Sequence, residues 1–284
     1  MTAVPEKVGV IGGGRMGAGI AQVFATAGAE VIVVEGDAGA ADAAAERVGT
    51  GLRRAAERGK LDTDPAEVLT RVRVGTDPTE FPSDVDLVVE AVPERADLKV
   101  EVLAAAESAV SGQTVLATNT SSLSVTELGA GLKDPGRFLG MHFFNPVPPS
   151  KLVEVVLAAE TSAETRRRVL GWVRGLDKTE VVVRDSPGFA TSRLGVLLGL
   201  EAIRMLEEGV ADAESIDNAM ELGYRHPMGP LRSTDLVGLD VRLAIAEYLH
   251  GTLGDRFAPP QLLRDKVARG ELGRKTGRGF HDWD

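Results

Sequence analysis

The stretch Lys7-Val8-Gly9-Val10-Ile11-Gly12-Gly13-Gly14-Arg15-Met16-Gly17 decides the fold. A short β-branched run opens directly onto glycines spaced Gly12-x-Gly14-x-x-Gly17, a pattern that gains its meaning only from what surrounds it. Ala18 to Ala25 reads as a helix ending near Gly28, and Val31-Ile32-Val33-Val34 as a buried strand that closes a βαβ unit with Glu35 at its end. Each part has a mechanical reason. Gly12 permits the tight turn, Gly14 lets backbone approach a pyrophosphate, and Gly17 allows close packing of helix on strand. The helix start, which holds Arg15 and Met16, turns amide N–H groups and a favourable dipole towards phosphate. Glu35, about 20 residues past the glycines, is placed to accept hydrogen bonds from an adenosine ribose diol. An acid there, with no arginine beside it, predicts NAD as cofactor over NADP.

Working outward, the chain alternates helices and strands up to about Asp185. A long alanine-rich helix spans Ala38 to Lys60. Val72-Arg73-Val74-Gly75 and Asp86 to Val92 read as strands, and Pro93-Glu94 as the start of a helix running to about Val110. Thr114 to Ala117, Phe138 to Phe144, Lys151 to Val156 and Glu180 to Val183 are further strands, with a helix over 163–175. Near Ser186-Pro187-Gly188 the pattern changes to helices alone, at 188–208, 212–222, 231–250 and 259–269. The expectation is an α/β Rossmann-type N-terminal domain over 1–185 and an all-helical C-terminal domain over 186–284. Such a helical tail beside a nucleotide domain would close a cleft, dimerise, or do both.

Composition narrows the function classes. A chain of 284 residues, 43% apolar and 26% charged, describes a globular protein more in keeping with two domains than one. With no cysteine, disulfides, thiolate metal sites and cysteine nucleophiles are excluded. A net charge of −10 gives no support for nucleic-acid or anionic-membrane binding over the whole surface. No apolar run reaches the length of a membrane span, and Met1 leads to a strand with no signal-peptide layout, so a cytoplasmic protein is expected. None of the four histidines is spaced from another as in a helical metal motif, so no metal site is expected; His226 and His281 read as loop residues.

His142 is the residue with most chemical potential. It ends the β-prone run Phe138 to Phe144 and is followed at once by Pro146 and Pro148. A histidine at a strand end can meet a ligand and exchange a proton near neutral pH. If the proline-rich segment folds the next strand back, Glu154 can reach the imidazole, fix its tautomer and stabilise imidazolium. A histidine packed beside an unrelated strand glutamate fits the same residue types. The loop Thr118-Asn119-Thr120-Ser121-Ser122 follows a parallel strand, where a doubly wound sheet binds its ligands, although its polarity also suits a turn. Arg47, Arg54 and Arg58 share one helix face and read as either a solvated face or a seat for a nucleotide phosphate.

End to end, from Val8 to Phe280, the chain resembles the L-3-hydroxyacyl-CoA dehydrogenase family in its short, 3-hydroxybutyryl-CoA dehydrogenase-like form. The motifs Asn119-Thr-Ser-Ser-Leu and Met141-His-Phe-Phe-Asn-Pro carry the resemblance, with Gly273-Arg-Lys-Thr-Gly-Arg-Gly-Phe280 near the C-terminus. It implies an NAD-binding domain, a helical dimerising domain, a homodimer, and interconversion of 3-hydroxyacyl-CoA with 3-ketoacyl-CoA. It also implies a catalytic role for His142 with Glu154, a place near the substrate oxygen for Ser121, and cofactor contacts at Glu35, Glu94, Lys99, Asn145 and Lys275. Two positions depart from the family. Ser192 stands where an active-site asparagine is common, and Gly51 where relatives often have a serine near the CoA nucleotide. A sugar-acid dehydrogenase related to λ-crystallin would share the His–Glu logic, and an NAD-binding protein without turnover is the alternative from another class. A 6-phosphogluconate-type enzyme would need a catalytic lysine in a glycine-spaced helix motif, which the chain lacks.

Overall fold

The computed structural model describes residues 4–283; Met1 and Asp284, where the chain starts and ends, lie outside the described residues. Two compact units, Met1–Ser186 and Pro187–Asp284, divide the chain.

The first unit is a doubly wound sheet. β1 (Lys7–Ile11), α1 (Arg15–Thr26) and β2 (Glu30–Val34) form the opening βαβ unit. α2 (Ala38–Glu57) follows, started by Asp37, whose carboxylate accepts from the Ala40 amide. α3 (Pro65–Leu69) leads to the edge strand β3 (Val72–Gly75). β4 (Leu87–Glu90), α4 (Ala96–Ala109), β5 (Val115–Thr118) and the short α5 (Val125–Gly129) continue the winding. β6 (Phe138–Phe143), β7 (Leu152–Leu157), α6 (Ala163–Gly175) and β8 (Thr179–Arg184) complete it. Strand order is β3-β2-β1-β4-β5-β6-β7-β8, parallel throughout except where β7 turns back antiparallel on β6. The order reverses between β1 and β4, and the crevice at their C-terminal ends is where such sheets bind nucleotides. Val10, Val31, Val33, Val89 and Leu139 form its fully buried core with Phe24 from α1.

α4 begins at Ala96, not at Pro93 as expected. Pro93-Glu94-Arg95 is instead a tight turn, closed by the Arg95 amide on the Pro93 carbonyl, with the Glu94 side chain hydrogen-bonded to the loop after β5.

The second unit is helical: α7 (Thr191–Glu207), α8 (Ala213–Tyr224), α9 (Pro230–Val237), α10 (Leu239–Leu253) and α11 (Gln261–Ala268). The single helix expected over 231–250 is two. Gly238 lies at φ +103°, a conformation open to glycine, and ends α9 while starting α10. Asp235, 1% exposed, accepts from the Phe280 and His281 amides and from the Trp283 indole, so the chain end is tied to α9. His281 lies in a loop, as expected, with its Nε2 2.8 Å from Asp217.

Candidate active site

Antiparallel pairing of β6 and β7 sets His142 directly opposite Glu154. His142 Nδ1 lies 2.8 Å from Glu154 Oε2, with His142 7% exposed and Glu154 fully buried. A carboxylate only accepts, so Nδ1 carries the proton and Nε2 is the acceptor nitrogen of the neutral ring. Asn119, at the end of β5, accepts from the Phe143 amide at 2.9 Å and fixes the strand end beside the histidine. Two residues further along that loop, the Ser121 amide donates to Glu94 at 2.9 Å. His142, Glu154 and the serine loop all belong to the first unit, at the C-terminal side of β5 and β6.

The glycine loop fits a dinucleotide. Gly12 at φ +92° lies against the Ala91 backbone, and a Cβ on Gly17 would stand 1.7 Å from the Gly12 carbonyl oxygen. Gly14 differs: no protein atom lies within 4 Å of where its Cβ would be, and its backbone is extended. The fold does not require a glycine there, whereas a phosphate approaching the start of α1 does. Glu35 Oε1 accepts from the Gly13 amide at 2.6 Å and has further acceptor capacity for a ribose diol. Arg47 comes in from α2 and donates to the Gly13 carbonyl at 3.2 Å, a neighbour that only the tertiary fold supplies.

Arg47, Arg54 and Arg58 line, with Arg15 and Lys151, an open groove of about 1130 Å³ between α1, α2 and the segment joining β6 to β7. Among the described residues none of Arg15, Arg47, Arg54 and Arg58 enters an ion pair, while Glu46 and Asp177 also line the groove and Lys151 pairs with Asp177. At Gly51 the Gln22 side chain fills the space that a serine would enter. A Cβ there would stand 2.3 Å from Gln22 Oε1, and Gln22, 6% exposed, lines the same groove. Gln22 escaped sequence reasoning because a lone glutamine in an apolar helix carries no pattern.

Residues 7–186 match the family described as 3-hydroxyacyl-CoA dehydrogenase, NAD binding domain, and residues 188–283 match 3-hydroxyacyl-CoA dehydrogenase, C-terminal domain. The chain belongs to the 3-hydroxyacyl-CoA dehydrogenase family. It is an NAD-dependent dehydrogenase. It is 42% identical over 281 residues to a probable 3-hydroxybutyryl-CoA dehydrogenase of Bacillus subtilis, covering 98% of each chain. A probable 3-hydroxybutyryl-CoA dehydrogenase of Deinococcus radiodurans is 44% identical, covering 98% of this chain and 100% of the relative. The crystal structure of (S)-3-hydroxybutyryl-CoA dehydrogenase from Ralstonia eutropha superposes with a TM-score of 0.93 at 39% identity, over 99% of both chains.

The remaining candidate residues of this dehydrogenase are placed as follows. Asn145 is exposed and lines the basic groove. Lys99 is fully buried, its ammonium 2.8 Å from Glu90 Oε1. In the second unit, Ser192 stands in the first turn of α7, and Lys275 donates to both Asp240 carboxylate oxygens at 2.6 Å.

Lys178 was missed altogether. It is 7% exposed and donates to the carbonyls of Val147, at 2.9 Å, and Ser150, so it holds the segment that follows His142. Burial, reinforced by the nearby Lys151 charge, lowers its pKa to about 8 from 10.5. Between those two values the unfolded chain binds the proton that the folded one has released. Stability therefore rises with pH across that window, with a slope of at most about 1.4 kcal/mol per pH unit. Urea unfolding of the wild type and of Lys178→Met from pH 7 to 10 should show the wild type gaining on the variant above about pH 8. A difference independent of pH contradicts the assignment.

Proposed function

We propose that this dehydrogenase interconverts 3-hydroxybutyryl-CoA and acetoacetyl-CoA, with His142 as the acid/base and Glu154 as its orienting partner. The observation that carries the reading is the buried 2.8 Å contact between His142 Nδ1 and Glu154 Oε2 at a strand end. The names of the relatives supply the substrate class. When bound, NAD would supply hydride exchange with C3, and the glycine loop and Glu35 would hold it. In oxidation His142 Nε2 takes the 3-hydroxyl proton as hydride leaves C3, and Glu154 stabilises the imidazolium that forms. In reduction the imidazolium returns that proton to the oxygen. Ser121 positions the oxygen. Such proton transfer contributes about 10²–10⁴-fold.

The basic groove favours a phosphorylated substrate over a bare sugar acid. Its unpaired arginines suit the phosphates of CoA, and the narrow acyl end of a thioester leaves the long remainder to be held elsewhere. From the family pattern, Asn145 and Lys275 act towards the cofactor and Ser192 stands in for the asparagine of relatives. NADH should support reduction of acetoacetyl-CoA far better than NADPH, because Glu35 repels a 2′-phosphate. Arg47 makes this a sharp test: equal rates with the two cofactors would mean that it overrides Glu35.

The helical unit is proposed to pair with its copy. Leu194, Leu222 and Tyr224 are 68%, 81% and 76% exposed, an unusual load of apolar surface for one small unit. Light scattering at micromolar concentration should give the mass of a dimer, and a monomer mass contradicts the pairing. A cytoplasmic enzyme is proposed; among the described residues no helix is long and apolar enough to cross a membrane.

A further inference from the structure

Gln22 is a buried polar residue that the reaction as described leaves unused. It lies in the middle of α1, 6% exposed, yet its side chain lines the groove between α1 and α2. Its amide carries one acceptor oxygen and two donor hydrogens. Among the described residues none of these meets a hydrogen-bond partner in the protein. Burying an amide without partners is costly, so a polar end turned to a groove is suited to meet a ligand.

Gly51 exposes that amide. A Cβ on Gly51 would stand 2.3 Å from Gln22 Oε1, 3.2 Å from Cδ and 3.7 Å from Nε2, so the whole amide lies over the glycine. Gly51 sits within α2, where helix propensity favours alanine, and α2 is otherwise rich in alanine. Close approach of the Gln22 amide is what the missing side chain permits.

The surroundings decide which part of a ligand the amide meets. Arg47, Arg54 and Arg58 stand four residues before Gly51 and three and seven after it, so Gly51 lies within the arginine face. Of the acids that line the groove, Asp177 pairs with Lys151, and Glu46, five residues before Gly51, falls off that face. If the arginines hold the phosphates of a CoA thioester, the group beside them is adenosine, whose base can pair edge to edge with an amide.

We propose that Gln22 is a specificity-determining residue that reads the adenine base of the CoA thioester, accepting from the N6 amine and donating to the adjacent ring nitrogen. The acceptor and donor of a glutamine amide match that edge of adenine. The proposal rests on the CoA reading above and goes beyond it. Arginines alone position any phosphorylated arm, whereas a contact to the base selects one.

The test compares acetoacetyl-CoA, its 1,N6-etheno analogue, in which a fused ring ties up N1 and N6, and acetoacetyl-pantetheine, which has no nucleotide. The wild type should show a KM about tenfold higher for the etheno ester than for acetoacetyl-CoA, the worth of a two-point base contact. Gln22→Leu should raise the KM for acetoacetyl-CoA about tenfold and leave that for the other two esters within about twofold. Its kcat should hold, since binding common to ground and transition states is lost. Gly51→Ala is the second variant: its methyl displaces only the far end of the Gln22 side chain, so it should fold like the wild type and lose the same selectivity. A wild type without preference between acetoacetyl-CoA and its etheno analogue overturns the proposal. Equal losses on all three esters in Gln22→Leu overturn it too and make Gln22 a packing residue. If the wild type reduces none of the esters, the dehydrogenase reading fails by itself. Calorimetric titration with CoA and with etheno-CoA then still decides base recognition: tighter binding of CoA supports it, and equal affinities or no binding overturn it.

Discussion

His142→Ala should lower kcat for acetoacetyl-CoA reduction by about 10²–10⁴-fold, the usual worth of a positioned proton donor, and leave NADH affinity near the wild-type value. The reason is geometric. His142 ends β6, held by Glu154 across the sheet and flanked by the Asn119 contact to Phe143. The glycine loop is held by Val34, Glu35 and Ala91. Glu154→Gln should give a smaller loss, since an amide oxygen can still accept from Nδ1 but offers no charge to an imidazolium. Steady-state kinetics with fluorescence titration of NADH separate the effects. A variant that keeps its turnover and loses NADH would make His142 a packing residue.

A pair of glycine variants should divide fold from cofactor. Gly17→Ala would drive a methyl to 1.7 Å from the Gly12 carbonyl oxygen, and only separation of α1 from the turn relieves that overlap. It should cost at least about 1–3 kcal/mol of stability, as overpacking does, and abolish NADH binding. Gly14→Ala meets no protein atom within 4 Å. Its melting temperature should stay within a few degrees, while its NADH affinity falls about tenfold or more because the methyl occupies the approach of the pyrophosphate. Equal damage to stability from both substitutions would remove the case that Gly14 is kept open for a ligand.

The contrast between those glycines shows how far the sequence could be read. The βαβ opening was legible because strand, glycine spacing and helix follow within one short segment, and local chemistry governs all three. The facing of His142 and Glu154 was legible as a conditional: prolines had to turn the chain back, and the antiparallel register of β6 and β7 does so. What eluded reading was set by partners distant in sequence. Arg47 meets Gly13 across 34 residues, and the two helices that replace 231–250 are divided by the φ of one glycine in an otherwise regular apolar pattern. The burial of the Lys99 side chain against Glu90, nine residues away, is likewise something that spacing alone cannot reveal. For the three arginines of α2, periodicity fixed the shared face but not the groove that faces it.

The most direct test of the proposed reaction uses NADH deuterated at the transferring position of C4, mixed with wild-type enzyme and acetoacetyl-CoA. Hydride transfer to the substrate predicts loss of NADH absorbance and a 3-hydroxybutyryl-CoA product that carries one deuterium at C3 by mass spectrometry. Undiminished NADH with acetoacetyl-CoA, together with NADH formation from NAD and a sugar acid such as L-gulonate, would contradict it.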